Sequence, residues 1–323
     1  MAVAKAADIY NNFSSAKQEE IYPLLDVHHR SYISFGFVED YARKVTITEQ
    51  SGSDLTDYQV LIELNSTNFD FSHTQTNGED IRFTDASGNL LDYWIESWDA
   101  VSERAKVWVK VPSIPANGTV EIWMYYGNSE ITDASDGYAV FEFFDDFDDL
   151  NGWSIGGGSP EPYVSGGVLI LPGDTTDRYI YRSLPFFDGY AWEIKIQKQG
   201  DGTKYAAQAF KWWSGGTEIY RVGWHADNSI WIRDLVDSEE IITGTRVEDT
   251  EWHTIKVTRL SNGDWALYFD DELIGTANDT TSTSTDTFGI GSAENIDVYY
   301  DDIRIRKYTS PEPSASLGAE ETA

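Results

Sequence analysis

The chain has 323 residues, with 55 acidic against 23 basic side chains, a formal charge of −32 and no cysteine. A field of that sign repels phosphate backbones and anionic lipid head groups, which argues against nucleic acid and membrane surfaces as partners. Without cysteine there is no disulfide, no thiolate metal site and no thiol nucleophile. The length suffices for two medium domains with cores of their own, and 14% aromatic residues, 12 of them Trp, suit sandwiches with binding faces. Three readings of the acid stay open: adaptation to high salt, where screening removes self-repulsion; calcium sites; or an ordinary extracellular surface. No apolar run is long enough to span a bilayer, and Met1–Ser15 lacks the apolar stretch of a secretion leader.

Residues 1–42 are read as an arm. Ala2–Glu20 is Ala-rich, with Ile9 and Phe13 four apart, and predicts a weakly amphipathic helix; Tyr32–Val38 predicts a short strand. The arm is expected to dock into neighbouring subunits rather than to cap its own domain, and His28-His29 reads as a surface turn.

From residue 43 the pattern has a period of two. Arg43–Thr48, Leu55–Val60, Ile81–Phe83, Leu91–Ile95, Lys106–Val111 and Val120–Tyr126 read as strands. Val107, Val109 and Val111 share one face, as do Val120, Ile122 and Met124. Pro112, Pro115 and Asn117-Gly118 supply hairpin chemistry between the last two. This predicts a β-sandwich over 43–142, with Glu130–Val140 as its polar seam.

Short strands then recur between Gly, Asp and Asn turns: Val168–Leu171, Ala191–Gln197, Tyr205–Phe210, Ile219–Trp224, Ile230–Asp234, Thr254–Leu260, Trp265–Phe269 and Asp297–Lys307. Such spacing predicts a second sandwich or jelly roll over 143–309. Thr280–Thr287 reads as a loop and 310–323 as a polar tail, disordered or laid along the sandwich. The fold class is therefore all-β: two consecutive β-sandwich or jelly-roll domains with a short helical arm at the N-terminus.

The strings Asp80-Ile81-Arg82-Phe83, Tyr93-Trp94-Ile95-Glu96, Val107-Trp108-Val109-Lys110-Val111-Pro112 and Tyr125-Tyr126-Gly127-Asn128 resemble an uncharacterised β-domain. That domain often precedes concanavalin A-like or laminin-G-like modules in archaeal and bacterial surface proteins. Trp252–Val257, Leu267–Gly275 and Tyr300–Ile305 are similar to the laminin-G-like pattern. The resemblance implies a structural Ca2+ between the opening segment and the last strand of the second domain. Carried over by position, its ligands are Asp146 through its carbonyl, Gly167 and Asp301, with Asp145 and Asp302 as neighbouring alternatives. Parity adds that Asp301 shares a face with Ile303 and Ile305, where a lone carboxylate needs a partner.

A carbohydrate platform is expected on one sheet of the second domain. Arg221 and His225 share a face opposite Val222 and Trp224; Trp231 and Arg233 share one opposite Ile230 and Ile232. With Tyr205 they offer flat rings for sugar C–H faces and charged donors for hydroxyls or carboxylates. Trp212, Trp213 and Tyr220 are further candidates. The carboxylate pair a glycosidase needs has no signature here: E-x-D-x-x-E is absent, and Glu96 of the nearby Glu96/Asp99 pair reads as a structural hydrogen-bond acceptor. Zincin, phosphate-loop and nucleophile-elbow motifs are also missing. Asn12, Asn65, Asn117 and Asn278 stand in glycosylation sequons.

The expectation is a non-enzymatic structural or attachment protein of an exposed assembly, on a virion surface or tail appendage, with a carbohydrate-binding jelly roll. Its partners would be copies of itself, other virion or surface-assembly proteins and a host-surface glycan. A cell-surface adhesin and a polysaccharide-cleaving enzyme are the alternatives.

Overall fold

The computed structural model describes residues 10–25, 30, 39–174, 176–185, 187–199, 207–225, 227–246, 249–282, 284–293 and 295–322. The chain divides into two compact units, Met1–Phe141 with Ser310–Ala323, and Glu142–Thr309. Both are all-β. Among the described residues the helices are short, α1 (Ser15–Ile21) and α2 (Gly137–Val140).

The first unit contains β1 (Tyr41–Thr48), β2 (Leu55–Asn65), β3 (Arg82–Thr84), β4 (Tyr93–Asp99), β5 (Arg104–Ile114) and β6 (Thr119–Tyr126). One sheet runs β2-β5-β4, and β1, β6 and β3 are neighbours in the other. The period-two faces decide which side is inward. Val107, Val109 and Val111 oppose Ile62, Val60 and Tyr58 across the ladder, and pack with Ile122 and Met124 of the facing sheet in one buried cluster.

The outer face of β6 carries Trp123 and Tyr125, too large and apolar to leave in water, and the arm covers them. Tyr22 is fully buried, its hydroxyl 3.0 Å from that of Tyr125, and the Arg30 guanidinium lies 4.2 Å from the Trp123 ring centre. Tyr10 Oη donates to the Ser87 carbonyl at 3.0 Å. The described part of the arm therefore caps its own sheet, where docking into a neighbour was expected. Ile9, His28-His29 and Tyr32–Val38 lie outside the described residues.

The second unit opens with β7 (Phe143–Asp145), β8 (Ser154–Gly157), β9 (Tyr163–Val164), β10 (Leu169–Leu171), β11 (Arg178–Arg182) and β12 (Tyr190–Lys198). It continues with β13 (Ala207–Ser214), β14 (Thr217–Trp224), β15 (Ser229–Asp234), β16 (Glu239–Thr245), β17 (His253–Arg259), β18 (Asp264–Phe269), β19 (Glu272–Asn278), β20 (Thr287–Ser292) and β21 (Val298–Lys307). One sheet is ordered β19-β18-β17-β12-β21-β10-β9, with β7 beside β21; the other is β16-β15-β14-β13-β20-β11-β8. Between them lies a core in which Trp192, Trp212, Trp224 and Trp265 are buried. Each buries about 150–250 Å², so at about 25 cal/mol per Å² each contributes several kcal/mol as an upper estimate.

The segment read as a polar tail, disordered or laid along the sandwich, lies along it as a strand, β22 (Ser314–Thr322), paired antiparallel with β1 from Tyr41↔Thr322 to Thr48↔Ser314. Glu320 fixes it: Tyr126 Oη donates to Glu320 Oε2 at 2.6 Å, and Arg43 Nη2 lies 3.6 Å from the same oxygen. Ala315 and Leu317 add to the core of the first unit.

Candidate functional site

The outward face of β16-β15-β14-β13-β20-β11-β8 collects the chemistry. Phe210 and Trp212, Tyr220, Val222 and Trp224, Ile230 and Ile232, Phe288 and Ile290, and Ile180 all enter the core. Alternation then turns Lys211 and Trp213, Arg221 and Gly223, Trp231 and Arg233, Gly289 and Gly291, and Tyr179 and Tyr181 outward. Ladder register arranges them in two rows. One reads Tyr181, Gly289, Lys211, Arg221, Arg233; the other reads Tyr179, Gly291, Gln208, Gly223, Trp231. From Tyr179 to Trp231 is four strand spacings, on the order of 19 Å.

At one end the aromatics cluster. Tyr179 and Tyr181 stand 5.6 and 6.3 Å from Trp213, centre to centre, and 5.8 Å from each other. Glycine makes this packing possible. A Cβ on Gly289 would sit 3.0 Å from the Trp213 ring and 3.1 Å from Tyr181 Cβ, and one on Gly156 would meet the Tyr179 ring at 2.4 Å. All three residues remain half-buried.

Beside them lies a charged group. Lys211 is buried, its Nζ 4.7 Å from the Tyr179 ring centre and 5.5 Å from that of Trp213. It is paired with Asp177 Oδ2 at 2.7 Å and Glu218 Oε2 at 3.6 Å. Burial holds the Lys211 ammonium below its ordinary pKa, with Arg221 adding to this and Glu218 and Asp177 opposing it. Arg221 makes two hydrogen bonds to Glu218, both 2.7 Å. Burial works against its charge, and those bonds outweigh it and raise its pKa.

The sequence-chosen residues fall as follows. Arg221, Trp231 and Arg233 share the outward face, with Arg221 and Arg233 directly opposed. His225 follows the end of β14 and engages Asp227 at 3.2 Å. Tyr205 lies outside the described residues. Trp212 and Tyr220 are core residues, fully buried. Tyr179, Tyr181, Lys211, Gln208 and the two glycines of β20 were not foreseen. The available signal was the alternation in Arg178-Tyr179-Ile180-Tyr181-Arg182 and in Phe288-Gly289-Ile290-Gly291.

The positions carried over for calcium converge. A Cβ on Gly167 would lie 3.9 Å from both the Asp146 carbonyl oxygen and Asp148 Oδ1, and the Asp146 and Asp301 charges feel one another. Asp301 is pushed up to about 6, first by burial and then by Asp302. The alternatives are engaged elsewhere. Asp145 accepts from Phe147 N at 2.9 Å and Trp153 Nε1 at 2.7 Å, and Asp302 pairs with Lys195. The parity argument is corrected, however. β12 and β21 slip register between Glu193 and Lys195, with Asp302 at φ +45°, so Tyr300 and Ile303 both point inward and Asp301 does not share their face. Among the described residues no three His, Asp or Glu side chains form a metal cluster. A hard cation here would depend on carbonyl oxygens, a donor set that suits calcium.

In the first unit, Asp80 of the Asp80–Phe83 string accepts from Gln75 N and Gly127 N, both at 2.8 Å, tying two loops together. A cleft of about 360 Å³ opens beside it, lined by Tyr41, His73 and Gln75 among others. Glu96 accepts from Trp108 Nε1 at 2.7 Å, the structural role expected of it.

A family model described as a domain of unknown function, DUF2341, matches residues 77–156. No curated protein is significantly similar to the chain. Among solved structures, the carbohydrate-binding module CBM66 from Bacillus subtilis is similar at 15% identity and a TM-score of 0.40, over 49% of this chain and 98% of that one. A protein of unknown function with a galectin-like fold from Bacillus subtilis is similar at 11% identity and a TM-score of 0.43, over 52% and 96%. The carbohydrate recognition domain of Emp46p, metal-free, is similar at 13% identity and a TM-score of 0.40, over 52% and 94%.

Proposed function

We propose that the second unit binds carbohydrate on the outward face of β16-β15-β14-β13-β20-β11-β8, and that the protein is an attachment component of an exposed assembly. The observation that carries this is the half-buried Tyr179, Tyr181 and Trp213 cluster held over glycine beside Lys211 and Arg221. An outward sheet face ordinarily carries polar side chains toward water. Half-exposed rings next to fixed cations and carboxylates are what a sugar needs, apolar surface for C–H groups and charged partners for hydroxyls.

Binding is favoured over cleavage. Asp177 and Glu218 are two carboxylates at this face, but both are engaged by Lys211 and Arg221, whereas a glycosidase needs its carboxyl pair free to flank the scissile bond. The setting we propose is a virion surface or tail appendage, with a cell-surface adhesin as the alternative. Copies held in one particle would turn a weak sugar contact into avidity. A calcium ion at Asp146, Gly167 and Asp301 would brace the start of the unit against its last strand.

The test is direct. The full chain is titrated by calorimetry with neutral and acidic oligosaccharides, and tested for co-purification with particles. Trp213→Ala is expected to weaken binding by up to about tenfold, since one stacked ring is worth roughly 0.5–1.5 kcal/mol beyond area burial, while Trp108→Phe in the first unit leaves it unchanged. A folded wild-type protein that binds no oligosaccharide would sink the reading.

A further inference from the structure

Three cations stand in one row across adjacent strands. Lys211 of β13 opposes Arg221 of β14, which opposes Arg233 of β15. Like charges directly opposite one another destabilise a sheet, so such a row is retained only where something offsets or uses it. Asp177 and Glu218 engage the first two. Arg233 is different. Its side chain makes no ion pair or hydrogen bond among the described residues, although Glu240 of β16 is its ladder partner on the other side and accepts instead from Thr243, and its Nε is a buried donor without a partner. This occurs on a chain with 55 acidic against 23 basic residues, where an acid is close to almost any cation.

The surroundings of Arg233 are those of a subsite. Trp231, two residues before it on the same face, is half-buried and opposes Gly223, which contributes no side chain to the adjoining strand. The next position in that row, Gln208, has a buried side-chain oxygen without a partner. A ring, a glycine gap and an amide thus follow one another across three strands, with the guanidinium of Arg233 beside the ring on the first of them. A guanidinium presents its donors as a planar fork that matches a carboxylate in bidentate fashion.

Resting on the carbohydrate-binding reading above, we infer that the bound glycan is acidic, with the carboxylate of a uronic or sialic acid residue seated on Arg233 and its ring on Trp231. The neutral part of the chain then extends over Gly223 and Gly291 toward Tyr179. An anionic ligand is otherwise disfavoured by a protein of charge −32, so a guanidinium whose own donors are unfilled is what would hold one here.

The full-length protein is titrated with matched probes: sialyllactose against lactose, and trigalacturonate against its methyl ester. Lactose 3-sulfate is a further arm. At least one acidic probe is expected to bind about tenfold tighter than its neutral partner, the scale of one charge-assisted contact. Arg233→Gln removes that preference without lowering the melting temperature, Arg233→Lys restores it only in part, and Trp231→Ala weakens both members of the pair. Equal binding of acidic and neutral probes, or a preference that survives Arg233→Gln, overturns this inference and leaves carbohydrate binding standing. Sulfated lactose bound as well as the carboxylated sugar, and lost with Arg233→Gln, overturns the carboxylate assignment. No binding of any probe by folded protein removes the underlying reading as well.

Discussion

Arg221 and Arg233 are direct partners across the β14–β15 ladder, two guanidiniums on one face of a chain that carries net charge −32. Only Arg221 has its carboxylate, Glu218. An arrangement that costs stability without a ligand is what a binding face looks like when fold and function pull apart.

Removing the charge should therefore stabilise the protein. Arg233→Met keeps the apolar stem, relieves the opposed pair and deletes the unpartnered Nε. The urea midpoint is expected to rise by the equivalent of about 0.2–1 kcal/mol at unchanged slope. A fall of that size would mean that Arg233 is a structural residue.

Glu193 gives the opposite case. Buried on β12, it holds Arg306 Nε at 2.7 Å and Arg304 Nη2 at 2.5 Å. Burial pushes its carboxyl up, but Arg304, Arg306 and Lys256 outweigh this and hold it at about 2, below the ordinary 4.5. Its contribution is thus present above pH 4.5 and fades as pH falls toward 2. Glu193→Gln strands two buried cations and should cost about 3–5 kcal/mol at neutral pH. The gap between variant and wild type, followed by thermal melts, should narrow on acidification; a constant gap would mean that the loss is one of packing.

The two chain ends both serve the first unit. Deleting residues 1–38 uncovers Trp123 and Tyr125 while leaving β1 whole, and deleting 310–323 removes the ladder to β1 with the Glu320 contacts. Each truncation is expected to lower the calorimetric transition of the first unit and to raise dye binding to exposed apolar surface, while the second unit, with its own core, melts unchanged. A first unit unaffected by loss of the arm would return the arm to the docking role read from sequence.

The all-β class and the inward faces were legible wherever alternation was long and apolar, as in Val107-Trp108-Val109-Lys110-Val111, because period two and β-branching both pointed one way. β20 is absent from the strands read in the sequence, where the loop ends at Thr287: Gly289 and Gly291 lower strand propensity, and their reason is the pair of tyrosines from β11, distant in sequence. β22 has no strong pattern; Ser-Ala-Ser-Leu-Gly-Ala is a strand because β1 offers an open edge. The site was half visible. Trp231, Arg233 and Arg221 follow from alternation within single strands, whereas Lys211 with Tyr179 and Trp213 needs the β13-β20-β11 order, which no local pattern encodes. Parity failed at Asp301 because an extra residue in β21 resets which side points inward.

That residue leads to the last prediction. Asp301 is pushed up from 3.8 to about 6 by its partial burial and by Asp302 beside it, with Asp146 adding and Lys195 opposing. Between those values the folded state holds the proton that the unfolded state has released, so stability falls as pH rises through this window. Above about pH 6 the ionised carboxyl is a standing cost, partly screened because the group retains solvent contact. A calcium ion held with the Asp146 and Gly167 carbonyls would offset that cost, and below the window it would have to displace a proton first. Calcium at about 5 mM is expected to raise the melting temperature at neutral pH, and the gain should vanish below about pH 5. Asp301→Asn should raise the calcium-free melting temperature at neutral pH and abolish the calcium gain, with little effect near pH 4. A calcium gain that persists in Asp301→Asn, or that is independent of pH, would place any cation elsewhere on the chain.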